Sequence, residues 1–161
     1  MSKNRVRPVP EGFHTITPHL VVRGADKAIE FYKKAFGATA VMCMPWPGGK
    51  IGHAELKIGD SHLFLADEFP DMGSCAPAPN GTSPVTINLY VEDCDKIFNQ
   101  AVAAGAKPQM PPMDMFWGDR YCKFTDPFGH SWAVATHIED VPPEEMEKRS
   151  KAEFAKWTNK K

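Results

Sequence analysis

The sequence has no excess of either charge and no long apolar segment. Its 19 Lys and Arg residues are matched by 20 Asp and Glu residues, so the formal net charge is −1. A chain this close to neutral has no electrostatic footprint for nucleic acid or for an anionic membrane surface. No apolar run approaches the ~20 residues that a membrane span requires, and the basic N-terminus lacks the apolar segment of a secretory signal. We therefore expect neither a nucleic-acid partner nor a membrane partner.

Cysteine is also scarce. The four cysteines form no CxxC pair (Cys43, Cys75, Cys94 and Cys122). This usage argues against a disulfide scaffold and favours reduced thiols and a cytoplasmic protein. The length of 161 residues suits one domain with a substantial core, or two small modules that share one.

An internal repeat is present and predicts the architecture. The segment from His19 to Ala38 has a counterpart about 69 residues later, from Asn88 to Ala106, as counted from His19 to Asn88. Each copy has the pattern of a strand, a helix and three further strands. We therefore predict an α+β fold of two βαβββ modules, residues 13–67 and 84–140. The remaining segments are a tail at 1–12, a Pro- and Gly-rich linker at 68–83, and a charged helical tail at 141–161.

Signals for helix ends support this division. Acidic residues stand near the two predicted helix starts, where they can cap exposed N–H groups, and glycines stand where a left-handed terminator is needed. These residues are Asp26 and Asp95 at the starts, and Gly37 and Gly105 at the ends. The C-terminal helix is predicted from Glu144 to about Lys156, docked loosely on the domain or on a partner subunit.

Strand alternation predicts one helix-covered face and one mixed-polarity face in each module. Thr86, Asn88 and Tyr90 alternate with apolar residues in the strand that opens the second module. In the first module, Thr17, His19 and Val21 alternate in the same way with Ile16, Leu20 and Val22. We expect the mixed faces to line a ligand cleft, although simple exposure to solvent would give the same pattern.

The same alternation predicts which side chains of the last strand of each module face the cleft. It predicts that Leu63, Leu65 and Asp67 line the cleft, with Phe64 and Ala66 behind them. In the second module it predicts that Ala133, Ala135 and His137 face inward, whereas Trp132 and Val134 pack under a helix. A slip of one residue in register would reverse either assignment.

Aromatic, basic and histidine side chains complete the predicted ligand site. Aromatic residues at turns and strand ends can stack on a planar ligand, although core or dimer packing would also explain them. Arg120 is expected to pair with an anionic ligand group, or else with Asp119 or Asp114. His19 is the candidate general acid or base, or else a polar cavity wall. The predicted ligand-binding residues are Thr17, His19, Trp46, Asp67, Thr86, Asn88, Tyr90, Phe116, Trp117, Arg120 and Tyr121.

Three motifs resemble the vicinal oxygen chelate superfamily, which includes glyoxalase I, bleomycin-resistance proteins and extradiol dioxygenases. They are Ala28-Ile-Glu-Phe-Tyr32, Trp117-Gly-Asp-Arg-Tyr121 and Asp126-Pro-Phe-Gly-His-Ser-Trp132. The last two look like the PhnB-like branch, and the similarity spans about residues 13–140. The resemblance implies two paired modules whose sheets cup a central cavity, usually in a homodimer.

The resemblance also implies positions for a divalent metal, on the first and last strand of each module. By position these fall on Thr17, Thr86, Ala133 and near Leu63, and none of these is a competent ligand for Zn, Ni or Fe. The first hypothesis is therefore a binding protein for a small, planar or partly aromatic molecule, with no cofactor. The alternative is a metal-dependent lyase, isomerase or dioxygenase with relocated ligands, for example His19, His137 and Asp67. A metal-free enzyme that uses His19 as its base is the third hypothesis.

Overall fold

The computed structural model describes residues 6–81 and 83–158. The chain divides into two compact units, residues 1–82 (unit 1) and residues 83–161 (unit 2). Unit 1 contains β1 (His19–Val22), α1 (Ala25–Phe36), β2 (Thr39–Trp46), β3 (Lys50–Ile58) and β4 (Ser61–Asp67). Unit 2 contains β5 (Thr86–Tyr90), α2 (Cys94–Ala103), β6 (Lys107–Asp114), β7 (Asp119–Thr125), β8 (Ser131–His137) and α3 (Pro143–Thr158).

Each unit forms a four-stranded mixed sheet with the same topology. The strand orders are β1-β4-β3-β2 and β5-β8-β7-β6. The first and last strands pair in parallel in both units, and the other neighbours are antiparallel. The predicted α+β fold and its two βαβββ repeats are confirmed, with a C-terminal helix after the second.

Helix α1 covers one side of the first sheet and packs on β3 and β4. Its apolar side chains Ala28, Ile29, Tyr32 and Phe36 are buried. Gly37 ends the helix in the left-handed region at φ 67°, where its N–H donates to the Lys33 carbonyl. This confirms its predicted role as a terminator, because a residue with a side chain would be strained there.

The helix starts differ from the prediction. Asp26 makes no capping hydrogen bond, and the first N–H groups of α1 are satisfied by Asp67 at the end of β4. At α2 the cap is Asp93, whose carboxylate accepts from the Lys96 N–H at 2.9 Å, and not Asp95. A capping acid must precede the helix or reach it from a neighbouring strand, and both predicted acids lie two residues after the cap position, inside the first turn.

In unit 2, helix α2 packs on β6, β7 and β8 over a core that includes Trp132 and Phe124. A turn at residues 126–129 precedes β8. The Gly129 N–H donates to the Asp126 carbonyl, and the Asp126 carboxylate accepts from the Trp132 indole at 2.8 Å. The four cysteines are free thiols. In the described part of the chain, no helix is both long enough and apolar enough to cross a membrane.

Candidate functional site

The side of the second sheet that faces away from α2 is called here the open face of unit 2. Arg120 on β7 pairs with Asp95 of α2, and Thr136 on β8 accepts from the first N–H of α2. Their neighbours along the strands therefore point to the opposite side. Pairing in register places Tyr90 beside Ala135, and Ala135 beside Tyr121. The predicted inward positions of β5 and β8 thus share one face.

Asp119 is the first residue of β7, at one end of this face, and is 4 % exposed. Its Oδ2 accepts from the Tyr90 hydroxyl at 2.9 Å and from the Trp117 indole N–H at 3.1 Å. Its Oδ1 accepts from Nδ1 of His137 at 2.8 Å. A buried carboxylate needs such donors to replace water. We call Tyr90, Trp117, Asp119, Tyr121 and His137 the Asp119 cluster.

Hydrogen bonds in this cluster change the pKa values of Tyr90 and His137. The bond to Asp119 raises the pKa of Tyr90, because an ionised phenol would face a carboxylate. The pKa of His137 is raised by hydrogen bonds to Asp140 and then to Asp119. Tyr90 therefore remains a donor near neutral pH, and the protonated form of His137 is favoured.

A turn between β6 and β7 supplies the aromatic edge of the site. The rings of Phe116 and Trp117 are 5.1 Å apart, and those of Trp117 and Tyr121 are 5.7 Å apart, both in edge-to-face geometry. All three residues are half-buried. Each ring thus has a neighbour that fixes its orientation and keeps some surface for a ligand.

Small and basic residues continue the open face toward β7. Ala133 pairs with Asn88 on one side and with Lys123 on the other. The Lys123 amine has no ion pair and no hydrogen bond to any residue that the structure describes. It is thus a cation available to an acidic ligand group.

The open face of unit 1 differs from the prediction. The ring of Phe64 lies 4.9 Å from His53 and 6.2 Å from His19, on the side away from α1. Leu63 and Leu65 are buried on the helix side instead. The predicted facing of β4 was therefore wrong by one residue.

A packed cluster of rings occupies this face. Phe13 stacks on His62 at 4.0 Å and lies 5.8 Å from Phe64. Nδ1 of His62 is 2.7 Å from the Glu55 carboxylate. Burial, and then the nearby His53, lower the pKa of His19. The candidate base His19 is thus held in a form that is neutral near neutral pH.

Asp67 does not face a ligand site. Its Oδ1 accepts from the N–H groups of Gly24 and Ala25, both at 3.0 Å, and its Oδ2 accepts from the Ile51 N–H at 2.7 Å. The carboxylate is committed to the backbone. The predicted inward orientation of Asp67 was wrong, and the relocated metal site loses its only carboxylate.

Three further residues of the predicted ligand site are Thr17, Trp46 and Arg120. Thr17 precedes β1 and lies outside the strand, so its predicted place on a strand face was wrong. Trp46 ends β2 with its ring 5.2 Å from Phe69. Arg120 pairs with Asp95 and Asp114, so its charge is balanced within unit 2. Its predicted pairing with Asp119 was wrong, and the pairing with Asp114 was right.

The residues of the chain do not fit the metal site of the resembled family. The positions implied for ligands are two threonines, a leucine and an alanine. Within residues 6–81 and 83–158, no group of three His, Cys, Asp or Glu side chains lies close enough to hold a metal ion. A divalent cation bound by such residues would lack the nitrogen or carboxylate donors that compete with water.

Comparison with known proteins settles the family. A family model described as the Glyoxalase/Bleomycin resistance protein/Dioxygenase superfamily matches residues 12–134. The chain belongs to this superfamily. Among curated relatives, the uncharacterized Rv0887c of Mycobacterium tuberculosis is 42% identical over 135 residues, covering 82% of this chain and 79% of the relative. The protein YjdN of Escherichia coli is 26% identical over 140 residues, covering 74% and 92%.

Solved structures share the fold. TioX from Micromonospora is 27% identical with a TM-score of 0.62, covering 78% of this chain and 99% of TioX. A PhnB protein from Bacillus cereus is 17% identical with a TM-score of 0.59, covering 76% and 99%. The second match shows a common fold.

Sequence reasoning missed Asp119 as the centre of the site. The signal was present in Trp117-Gly-Asp-Arg-Tyr121, where one acid stands between two aromatic residues. The prediction chose Arg120 as the charged ligand-binding residue of this motif, but the Arg120 side chain points to the helix side of the sheet, where it pairs with Asp95.

Proposed function

We propose that this protein binds a small planar, partly aromatic molecule on the open face of unit 2, without a metal ion. The observation that carries the proposal is the buried Asp119 carboxylate, which holds Tyr90, Trp117 and His137 by hydrogen bonds. Rings fixed in this way lose little freedom when a ligand stacks on them, and such preorganisation favours affinity.

The open face also indicates the ligand's polarity. Aromatic edges favour a planar body, and Asn88 and Lys123 offer a donor amide and a cation beside the small Ala133. We therefore propose an aromatic molecule with an acidic group. The planar part would lie near Trp117 and Tyr121, and the acid near Lys123.

Calorimetric titration with 2-naphthoate tests this function. The saturated decahydro-2-naphthoate is the matched probe, since it has the same acid and a carbon skeleton of equal size without the planar rings. We expect saturable binding of 2-naphthoate that is at least tenfold tighter than that of the saturated probe. Equal affinities would contradict stacking as the basis of binding.

Variants locate the binding. Trp117→Ala and Tyr121→Ala should each weaken 2-naphthoate binding at least tenfold, because stacking on one aromatic ring is lost. Trp46→Ala in unit 1 removes an equally large ring as the control and should change affinity less than twofold. A loss confined to Trp46→Ala would place the site in unit 1 and contradict the proposal.

The metal-free part of the proposal has its own test. Protein purified without chelator should contain less than one-tenth equivalent of Zn, Ni, Mn and Fe by elemental analysis. A stoichiometric amount of any of them would favour the alternative, a metal-dependent lyase, isomerase or dioxygenase.

We also propose that the protein is a homodimer. Strand β2 is an edge strand of its sheet, and Val41, Met42, Met44 and Trp46 are exposed along it. Exposed apolar edges favour association. Sedimentation should give twice the chain mass of 17.9 kDa, and Met44→Lys should shift it toward the single-chain value. A single-chain mass for the unaltered protein would contradict this.

A further inference from the structure

Helix α3 lies beyond the residues that the superfamily model matches, and its single arginine reaches back to the candidate site. Both terminal nitrogens of Arg149 donate to the Glu139 carboxylate, each at 2.8 Å. Its Nε donates to Glu145 at 3.0 Å, and Nη1 also donates to the Phe116 carbonyl at 3.4 Å. A two-point arginine–carboxylate pair fixes orientation as well as distance.

The segment that carries Glu139 rests directly on the aromatic turn. The Gly118 carbonyl accepts from the N–H groups of Ile138 and Glu139, at 2.9 and 3.0 Å. A Cβ on Gly118 would lie only 2.2 Å from the Glu139 carbonyl oxygen. The two backbones therefore approach closely enough that only glycine fits at position 118.

Ring contacts make a second connection from α3 to the turn. The ring of Phe154 lies 5.9 Å from Phe116, in edge-to-face geometry. Phe116 in turn contacts Trp117, whose indole N–H donates to Asp119. Both the backbone path and the ring path thus end at the same hydrogen bond of the Asp119 cluster.

We propose that Arg149 is a positioning residue for the ligand site, and that α3 holds the Phe116–Trp117 turn where the indole reaches Asp119. The claim about ligand affinity rests on the function proposed above. The claim about the turn stands on the contacts of Arg149 and Phe154 alone. When α3 is released, the turn loses the contacts of Arg149 and Phe154, and the orientation of Trp117 is held less firmly.

The test uses the full chain with ¹⁵N-labelled tryptophan. We expect Arg149→Met to shift or broaden the indole N–H signal of Trp117 in the absence of any ligand, and to weaken 2-naphthoate binding at least fivefold. Arg149→Lys should restore the signal only in part, since an ammonium cannot make the two-point pair. The exchanged pair Arg149→Glu with Glu139→Arg should move both readouts part of the way back from those of Arg149→Glu alone, which a general loss of stability would not allow. Recovery is incomplete because a carboxylate at position 149 faces Glu145 and cannot donate to the Phe116 carbonyl.

Lys151→Met is the matched control. Lys151 lies on the same helix and pairs with Glu147, so its removal costs one cation and one ion pair without touching the turn. It should leave the Trp117 signal and the affinity unchanged. Glu139→Gln offers a second, nearly isosteric disruption of the pair.

This design distinguishes failure of the positioning role from failure of the proposed function. An unmoved Trp117 signal in both Arg149→Met and Glu139→Gln would overturn the inference, whatever the affinities. Absence of 2-naphthoate binding in the unaltered protein would overturn the proposed function, while a shifted Trp117 signal would still support the positioning role.

Discussion

The two units share one βαβββ framework, but two of their buried carboxylates, Asp67 in unit 1 and Asp119 in unit 2, lie on opposite sides of it. A shift of 69 residues relates Ala25 to Cys94, and the same shift relates Asp67 to Thr136. The Ala25 backbone N–H donates to the Asp67 carboxylate at 3.0 Å, and the Cys94 backbone N–H donates to the Thr136 hydroxyl at 2.9 Å. Each side chain satisfies the start of the helix in its own unit. In unit 2 this task falls to a hydroxyl, and the buried acid Asp119 serves the open face.

The open faces differ at one central position. The same shift relates Phe64, which pairs with His19, to Ala133, which pairs with Asn88. In unit 1 a ring fills the centre of the face and is surrounded by other rings. In unit 2 the centre is a methyl group. The duplicated fold thus has one face filled by its own side chains and one face with a small residue at its centre, where we propose that the ligand binds.

The largest effect is expected from removing the acid of unit 1. Asp67→Ala leaves three backbone N–H groups without their partner, and it should lower the free energy of unfolding by about 3 kcal/mol. Urea denaturation measures the change. Asp26→Ala is the control, because Asp26 makes no capping bond, and it should cost less than about 0.5 kcal/mol. Equal losses would contradict the assignment of Asp67 as the cap.

The acid of unit 2 should affect both stability and binding. Asp119→Asn keeps the shape but replaces one acceptor oxygen by a donor, so we expect a loss of about 2 kcal/mol and at least tenfold weaker binding of 2-naphthoate. Asp114→Asn removes an exposed partner of Arg120 and should change neither by a measurable amount. Unchanged affinity in Asp119→Asn would separate the cluster from ligand binding.

Copying the filled face into the other unit sharpens the comparison. Ala133→Phe places the side chain of Phe64 at its equivalent in unit 2. Overpacking should cost about 1–3 kcal/mol, and 2-naphthoate binding should fall at least tenfold because its space is occupied. The converse change, Phe64→Ala, should leave the affinity within twofold. Loss of binding in Phe64→Ala alone would reverse the roles of the two faces.

The smallest effect concerns one histidine from each unit. The pKa of His137 is raised by Asp140 and Asp119, and the pKa of His19 is lowered by burial and by His53. NMR titration should therefore place the midpoint of His137 above, and that of His19 below, the ordinary value of 6.5. Asp140→Asn should lower the midpoint of His137 and leave that of His19 unmoved. A reversed order would contradict the structure of both faces.

The two pKa shifts make the free energy of unfolding depend on pH in opposite directions. Protonated His137 favours the folded state, so its contribution is complete below about pH 6.5 and is lost as the pH rises through its raised pKa. Neutral His19 is the favoured folded form, so its contribution is lost as the pH falls below its unfolded value.

The sequence was sufficient to predict which side of a sheet each side chain faces where polar and apolar residues alternate along the strand. Thr86, Asn88 and Tyr90 alternate with apolar residues, so the faces of β5 followed from the pattern. In β4 both sets are apolar, Leu63 and Leu65 against Phe64 and Ala66, and the pattern carries no contrast that fixes the register.

Long-range partners could not be predicted from local spacing. Asp67 caps a helix that begins 42 residues earlier in the chain, and Asp119 collects donors from β5, β8 and the aromatic turn. The prediction that α3 docks loosely missed Arg149 for the same reason, because nothing in the tail itself indicates Glu139 as its partner.

The most direct test of the central claim is a titration of 2-naphthoate into protein with ¹⁵N-labelled tryptophan, with each indole signal assigned by substitution. The account predicts that the Trp117 signal shifts saturably while those of Trp46 and Trp132 stay in place. A saturable shift of Trp46 with Trp117 unmoved would contradict it.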